Sequence, residues 1–455
     1  MKSTPWWGWL NFFKFNSTFA RGMGALVGST ALAQLLALAA LPVLTRLFSP
    51  ADFSLLAVYV ALSTLIGTVT CMRLDAAIPL PEDENEALNL LLLGLLSSIA
   101  VTAILCTVIG LWGDVLAQAA GRPDFSPFLW LVPIGTALTG IYSAFQYMAV
   151  RQKAFGLIAR TRLTQAVTGL GTQVALGLAG AAPIGLMIGH ILMSGAGVAT
   201  LALRSLRVGI LQYGWPSWVS LKKTLLCYRR FPQYSVAEEL TNNAGIQLPI
   251  LLIGTFLVGA EAGFIFLAMR VVGAPMTVIG SAVSQVYYAH AADYQREGCL
   301  AEETSRVFRR ISMWLVVPMV ALGPFVPFGF RVVFGTEWER AGVLLVWMLP
   351  WYAFRLISSP ISMVMHVRMK QQLMLMLTIA GFVLRIAPLG LALAWRPEMA
   401  SVTYAVTSAV FYAIITSVFL FVAGLSQAAV IYLMAESIFS WLVVAFFSFL
   451  ICLAF

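Results

Sequence analysis

Charge is what this sequence has least of. Only 10% of its 455 residues are Asp, Glu, Lys or Arg, whereas an average soluble domain has about 25%. Hydrophobic residues make up 60%, and a soluble core cannot absorb that much apolar surface, because the exterior would have to be apolar too. Lipid tolerates such an exterior. The composition therefore predicts an integral membrane protein and excludes a soluble domain.

Cysteine and histidine are also sparse, and their spacing matches neither a metal site nor a disulfide framework. The five cysteines stand singly, and the chain has only three histidines. A membrane-bound polymerase, ligase or glycosyltransferase would need catalytic side chains on a sizeable outer loop or at a metal, and no DxD or HExxH motif is present. We therefore expect no metal, no cofactor, no catalytic residue and no enzyme activity.

Long apolar runs occupy most of the chain. A helix needs about 20 residues to cross ~30 Å of hydrocarbon. The predicted spans are 22–47, 53–72, 88–111, 127–149, 163–181, 183–203, 236–258, 262–288, 311–334, 341–365, 372–394 and 400–423. A thirteenth apolar run, 438–455, ends the sequence. These runs predict an all-α membrane protein with about twelve transmembrane helices, or thirteen if the last run also spans.

The Lys and Arg residues alternate from loop to loop between the predicted spans. With a cytoplasmic N-terminus, the cytoplasmic segments hold 20 of them, the outer loops hold 5, and 3 lie within spans. Positive residues favour the cytoplasmic side, so the pattern predicts a cytoplasmic N-terminus. The net charge of +9 reflects this topology, and we predict no nucleic-acid partner.

Two groups of six spans resemble each other. The segment from Met148 to Lys153 (MAVRQK) corresponds to that from Met365 to Lys370 (MHVRMK), and Pro133 corresponds to Pro350 at the same offset of 217 residues. Because each group has an even number of spans, the copies should be related by a pseudo-two-fold axis along the membrane normal. The predicted divisions are an N-terminal interfacial segment 1–21, an N-lobe 22–203, a cytoplasmic linker 204–235, a C-lobe 236–424 and a C-terminal extension 425–455.

Three stretches carry a family resemblance. They are 44–53 (LTRLFSPADF), 73–83 (RLDAAIPLPED), and parts of 262–286 that include LAMR and IGSAVSQV. In these the chain resembles bacterial oligosaccharide and O-antigen flippases, the polysaccharide transporters of the multidrug/oligosaccharidyl-lipid/polysaccharide flippase superfamily. The resemblance implies passage of undecaprenyl-diphosphate-linked oligosaccharide from the inner to the outer leaflet of the bacterial cytoplasmic membrane. It also implies membrane lipids as surroundings, with a polysaccharide polymerase and a chain-length regulator as partners.

Three arginines lie deep within predicted spans, where a charge costs about 2.5–3.5 kcal/mol on insertion scales. Arg270, Arg355 and Arg385 are about 12, 21 and 14 Å from the predicted outer ends of their helices. An arginine fork binds phosphate oxygens in bidentate fashion, so we predict that the three contact the diphosphate. The alternative is that each pairs with a carbonyl or carboxylate for structure alone.

Polar residues crowd the start of the seventh predicted span. Glu239, Asn243 and Gln247 follow one another at intervals of four residues and share one helix face, which we predict to line the substrate cavity. At the inner mouth of the second span, Arg73 and Asp75 stand in a family-like motif. We predict that these two and Glu238 act as gating or inter-lobe residues.

The leading functional hypothesis is a flippase for lipid-linked oligosaccharide in O-antigen, capsule or exopolysaccharide synthesis. A cation-coupled multidrug exporter of the same superfamily is an alternative, although such a transporter would be expected to carry deep carboxylates and the first lobe has no acid inside a span. A lipid II flippase for peptidoglycan is a further alternative. A membrane-bound polymerase or glycosyltransferase is the alternative hypothesis in which the protein is an enzyme.

Overall fold

The computed structural model describes residues 18–208, 217–257, 259–368 and 370–454. Every regular element in these ranges is a helix, and no strand occurs among them. The all-α prediction is confirmed. The interfacial segment predicted for residues 1–21 lies outside the described residues, apart from 18–21 at the start of the first helix.

The first half of the described chain consists of membrane-length helices and short connecting ones. The α-helices are α1 Thr18–Leu47, α2 Pro50–Thr70, α3 Leu74–Ala77, α4 Glu84–Ala119, α5 Leu131–Arg151, α6 Phe155–Leu178, α7 Ile184–Gly195 and α8 Val198–Val208. A 3-10 helix, Pro123–Phe128, precedes α5.

The second half begins with the connecting helix of the predicted linker. Its α-helices are α9 Trp218–Cys227, α10 Val236–Phe256, α11 Glu261–Arg296, α12 Leu300–Ile311, α13 Val317–Leu322, α14 Val326–Phe334, α15 Glu339–Ile361, α16 Met363–Val367, α17 Gln371–Trp395, α18 Ala400–Ala423 and α19 Gln427–Ala454. Short 3-10 and π-helical turns join them at Phe231–Ser235, Ser312–Val316, Gly323–Phe325, Thr336–Trp338 and Pro397–Met399.

Ten segments of the described chain are long and apolar enough to cross a membrane. Three further helices, α5, α6 and α10, have 21, 24 and 21 residues. Such helices extend over about 31 to 36 Å, although these three contain more polar residues. Together these segments correspond to the predicted spans, and the chain is a multi-pass membrane protein.

The structure adds detail to two predicted spans. The sixth span, predicted as 183–203, corresponds to the apolar segment Ile184–Ser205, but its helix is interrupted between α7 and α8, where Gly197 has a φ of +97° that glycine adopts most readily. The last helix begins at Gln427 and not at 438. Ser426 starts it by accepting a hydrogen bond from the N–H of Ala429, and the charge of Glu436 on this helix is neutralised by Arg309, 3.2 Å away.

The turn between α1 and α2 follows directly from the sequence Ser-Pro-Ala-Asp. The N–H of Asp52 donates to Ser49 Oγ at 3.2 Å, and Asp52 Oδ2 accepts from the N–H of Ser49 at 2.9 Å. This is a capping box, with Pro50 at the first helical position, where its missing N–H costs nothing. The turn fixes where α2 begins, and we call this end of the bundle the Ser49 end and the opposite one the Arg73 end.

The helix packing of the first half is repeated in the second. In the first half α1 packs on α6, α2 on α5, and α6 on α7; in the second, α10 packs on α17, α11 on α15, and α17 on α18. Shifting α6 by the offset of 217 residues places it on α17 to within one residue. Between the halves, α2 packs on α10 and α11, and the largest cluster of buried apolar side chains crosses this junction.

Candidate functional site

At the Ser49 end the two halves touch backbone to backbone. Gly263, in the first turn of α11, faces the first turn of α2. A Cβ atom at this position would clash with the carbonyl oxygen of Pro50 and would lie 2.8 Å from the backbone nitrogen of Ser54. Trp338 lies beside this contact, with its ring 4.8 Å from that of Phe53. Only glycine permits this approach.

Arg122 strengthens the same junction, and sequence reasoning missed it. Its side chain is almost fully buried, with 2% of the residue exposed. The guanidinium donates to the carbonyl oxygen of Gly254 at the end of α10 and, at 3.4 Å, to Ser54 Oγ on α2. Two further bonds of 2.9 Å join it to Asp124. The only local signal is an arginine two residues before an aspartate; the partner 132 positions away leaves no trace in the sequence.

Trp338 adds a third link between the halves. Its indole Nε1 donates to the carbonyl oxygen of Thr45 near the end of α1, at 3.1 Å, and the residue is 1% exposed. We call the contacts made by Gly263, Arg122 and Trp338 the latch. The latch closes the Ser49 end of the junction between the halves.

Towards the Arg73 end the junction contains a polar cavity of about 100 Å³. It lies between the last turns of α2, the short α3, the middle of α5 and the first turns of α10. Four of the nine site residues that the sequence predicts line it, namely Arg73, Asp75, Glu239 and Asn243. The structure therefore brings two of the three predicted gating residues together with two of the three residues on the polar face of the seventh span.

One hydrogen bond and one ion pair cross the polar cavity from one half to the other. Asn243 Nδ2 donates to Thr68 Oγ1 at 3.0 Å and to Glu239 Oε1 at 3.2 Å. Glu239 Oε2 in turn lies 4.0 Å from Arg73 Nη2. Both carboxylate and guanidinium are partly exposed, so this ion pair contributes little to stability.

An unusual turn aims Arg73 and Asp75 into the polar cavity. Met72 and Arg73 have φ angles of 50° and 58°, in the left-handed region that costs a non-glycine residue about 1–2 kcal/mol. These two residues form the turn between α2 and α3. Backbone strain of this kind concentrates at functional sites.

Asp75 is buried with part of its hydrogen-bonding capacity unused. The residue is 5% exposed, and its Oδ2 accepts from Ser143 Oγ at 2.5 Å. Its Oδ1, like Nε of Arg73, has no hydrogen-bond partner in the described part of the chain. These two buried atoms are thus an acceptor and a donor that belong to residues lining the polar cavity.

Two predicted residues near this cavity do not line it. Glu238 is exposed, and it is Glu239 that reaches Arg73. Gln247 is half-buried one turn beyond Asn243, on the same face of α10. Their predicted roles in gating and in substrate binding stay predictions.

Arg270 lies at the junction of the halves, about 14 Å along α11 from Glu261. Its guanidinium stacks on the ring of Phe266, 4.9 Å from the ring centroid. His190 of α7, in the other half, lies within electrostatic range of this guanidinium. No ion pair to Arg270 is formed by the residues that the structure describes.

Arg355 is half-buried in α15, about 9 Å from the end of that helix at Ile361. The hydroxyls of Tyr352 and Tyr404 lie within electrostatic range of its guanidinium. Within the described ranges no carboxylate pairs with it. Arg270 and Arg355 are thus both cations inside membrane-length helices whose guanidinium groups are not neutralised there.

Arg385 is placed differently from the other two arginines. It is 5% exposed, its Nε donates to the carbonyl oxygen of Gly381 at 2.8 Å, and its guanidinium stacks on Phe411, 4.8 Å from the ring centroid. It also presses on Gly245 of α10, where a Cβ atom would lie 2.6 Å from Nη2. Gly245 is on the opposite face of α10 from Asn243, so Arg385 does not line the polar cavity. This arrangement favours the structural alternative for Arg385.

No group of three or more His, Cys, Asp or Glu side chains among the described residues could hold a metal ion. The polar cavity presents carboxylates, an amide, hydroxyls and one guanidinium. Such a set can form hydrogen bonds with hydroxyl-rich ligands.

Comparison with known proteins gives a family and a fold. A family model described as "Polysaccharide biosynthesis protein" matches residues 43–342. No curated protein sequence matches the chain.

Solved structures resemble the chain over nearly its whole length. A structure of the lipid II flippase MurJ, in an inward closed conformation, superposes with a TM-score of 0.62, 14% identity and coverage of 94% of this chain and 97% of that one. An inward-facing multidrug resistance MATE family transporter of the MOP superfamily superposes with a TM-score of 0.56 at 14% identity. The match covers 93% of this chain and 98% of that one. A mutant of the Vibrio cholerae MATE transporter VcmN superposes with a TM-score of 0.52 at 13% identity. The match covers 89% of this chain and 96% of that one. At these identities the likeness establishes the fold alone.

Proposed function

The chain belongs to the family of polysaccharide biosynthesis proteins, and from this premise we propose that it is a flippase for lipid-linked oligosaccharide. The cargo would be an oligosaccharide on undecaprenyl diphosphate, carried from the inner to the outer leaflet of a bacterial cytoplasmic membrane. The product would be O-antigen, capsule or exopolysaccharide. The chain has the fold of transporters and not that of an enzyme.

The observation that carries the proposal is a pair of arginines inside apolar helices without a carboxylate among the described residues to neutralise them. Arg270 and Arg355 are both partly accessible, and each would cost about 2.5–3.5 kcal/mol in hydrocarbon. A diphosphate offers what such a cation needs, because a guanidinium binds its oxygens in bidentate fashion and keeps its charge when desolvated.

The polar cavity supports the sugar part of the proposal. Carboxylate oxygens of Asp75 and Glu239 and the amide of Asn243 are groups that hydrogen-bond to hydroxyls. In this scheme the sugars pass along the polar face of α10 while the diphosphate follows the arginines. The latch and the bonds of the polar cavity would open in turn as the two halves rock, which is how duplicated transporters expose a site to alternate sides.

Membrane potential would favour export in this scheme. With a cytoplasmic N-terminus, two negative charges leave an interior-negative cell while the arginines stay in place. A potential of ~150 mV would contribute about 7 kcal/mol, at ~2.3 kcal/mol per charge per 100 mV. Vesicles clamped at zero potential should therefore flip the lipid more slowly, and an unchanged rate would contradict this part of the proposal.

The experiment that tests the function is complementation in a strain that lacks the gene. Wild-type protein should restore surface polysaccharide, whereas Arg270→Ala, at matched expression, should leave lipid-linked oligosaccharide in the inner leaflet. Arg270→Lys keeps the charge without the fork and should restore export only in part. Arg396→Ala removes an exposed arginine at the end of α17 and serves as the matched control.

The other outcomes assign the alternatives. Normal surface polysaccharide without the gene would refute the proposal. If drug susceptibility then rises, the chain is a drug exporter, and if lipid II accumulates instead, it is a lipid II flippase. A polymerase and a chain-length regulator are proposed partners, to be tested by co-purification from the same strain.

A further inference from the structure

A second cavity, of about 690 Å³, lies at the Arg73 end, away from the junction of the halves. It is bordered by Arg368 and Lys370, which connect α16 to α17, and by the last turns of α18. We call it the basic cavity. Its volume falls within the range of about 300–1,000 Å³ that small-molecule sites occupy. We infer that the basic cavity binds the phosphate head group of an anionic phospholipid.

The order of polar and apolar residues along the basic cavity matches a lipid molecule. Arg368 and Lys370 stand at the ends of membrane-length helices, where a head group would lie. Met376 on α17 and Val418 and Phe421 on α18 continue the wall, roughly 3 to 9 Å deeper along the helices. Met376 and Phe421 are 66% and 56% exposed, so an acyl chain can lie against them.

The two cations of the basic cavity lack a carboxylate partner in the described part of the chain. Arg368 donates to the carbonyl oxygen of Ala423 at a long 3.4 Å. The acids on the neighbouring helices are already engaged, since Glu302 and Glu303 bind Arg306, and Glu436 binds Arg309. Two positive charges therefore face an open, half-apolar space.

The duplicated motif in the first half shows what this arginine does when it has a structural task. Arg151 corresponds to Arg368 at the offset of 217 residues. It forms an ion pair with Glu84 at 3.1 Å and donates to the carbonyl oxygens of Ile78, Pro81 and Glu82. Those bonds brace the loop before α4. The side chain of Arg368 instead forms a single weak hydrogen bond. Of the two corresponding arginines, Arg368 is the one that borders a cavity.

The chemistry and the position together indicate the ligand. A phosphate diester carries one negative charge and oxygens that suit a guanidinium and an ammonium. Basic sites between transmembrane helices at the cytoplasmic surface bind anionic lipid head groups, with about 1 kcal/mol for each Lys or Arg near the surface. The Arg73 end is the predicted cytoplasmic side. The inference does not depend on the cargo of the transporter, because binding is measured without transport.

Native mass spectrometry of the purified full-length protein with added phosphatidylglycerol tests the inference. We expect wild type to bind phosphatidylglycerol in preference to phosphatidylcholine. The double variant Arg368→Ala/Lys370→Ala should bind it about 30-fold more weakly, as two surface cations at this strength predict. Lys222→Ala/Lys223→Ala removes the same charge from exposed positions on α9 and should bind like wild type.

A variant of the apolar wall separates a lipid site from a merely basic surface. Met376→Trp keeps both cations and fills the wall at an exposed position that tolerates the substitution. It should weaken phosphatidylglycerol binding while leaving binding of inorganic phosphate unchanged. Equal phosphatidylglycerol binding by the two double variants, or by Met376→Trp and wild type, would overturn the inference. Displacement of phosphatidylglycerol by a lower concentration of polyprenyl diphosphate would overturn it as well, since the site would then belong to the cargo.

Discussion

Replacing Gly263 by alanine should separate the two halves at the Ser49 end. The added Cβ would meet the carbonyl oxygen of Pro50 and the backbone nitrogen of Ser54, 2.8 Å away. Both are backbone atoms of a capped helix start, which cannot rotate aside as a side chain could. Relief requires α2 and α11 to move apart.

The size of the effect follows from the cost of overpacking. Forcing a methyl group into a filled interior costs about 1–3 kcal/mol, and this cost falls only on states in which the latch is closed. The ratio of open to closed latch should therefore rise by a factor of about 5 to 150, at 1.4 kcal/mol per factor of ten.

Distance measurements between spin labels can detect this shift. Labels on cysteines at Ala51 and Glu337, both exposed at the Ser49 end, would report the distance across the latch in a background without the five native cysteines. We expect a second, longer distance to gain population in Gly263→Ala. The control is Gly273→Ala in the same helix, where a Cβ would meet nothing within 4 Å. If the two variants give the same distance distribution, the tight contact is not what holds the halves together and the reasoning fails.

Three other substitutions test the remaining contacts. Arg122→Ala should lower the free energy of unfolding by about 2 kcal/mol, because charge-assisted hydrogen bonds are lost and the carbonyl of Gly254 is left unpaired. Chemical denaturation measures this free energy, and an unchanged value would exclude the bridging role of Arg122. Asn243→Ala should cost about 1 kcal/mol and favour separation at the Arg73 end, read by crosslinking across α2 and α10, whereas the exposed Asn242→Ala should change nothing. Arg385→Ala should reduce thermal stability more than Arg270→Ala, since Arg385 is buried against α10. Arg270→Ala should instead reduce transport more than Arg385→Ala. If one variant has the larger effect in both assays, the two arginines do not have separate roles.

Much of the fold could be predicted because its signals are local. A run of apolar residues long enough to cross a bilayer predicts a helix wherever it occurs, and α18 begins and ends at the predicted residues 400 and 423. The break at Gly197 was missed because the apolar pattern continues across it. The start of α19 was missed because the run 424–437 is short and mixes polar with apolar residues, and Arg309, the partner of Glu436, is distant in sequence.

The site was predictable in part for the same reason. The shared face of Glu239 and Asn243 follows from helix periodicity, and both residues do line the polar cavity with Arg73. Thr68, the partner of Asn243 across the junction, could not be predicted, because 175 positions separate the two residues. Arg122 was overlooked for the same reason, since its partner Gly254 is 132 positions away in the second half of the chain.

The closeness of the latch has a mechanical consequence. A glycine contact that brings two helices together at one end makes a fulcrum, and α2 with its 21 residues is a lever of about 31 Å. Each degree of rotation about that fulcrum would move the far tip of the lever by about half an ångström. A tilt of roughly 20° would open a mouth of about 10 Å beside Arg73, while the contact at Gly263 hardly moves.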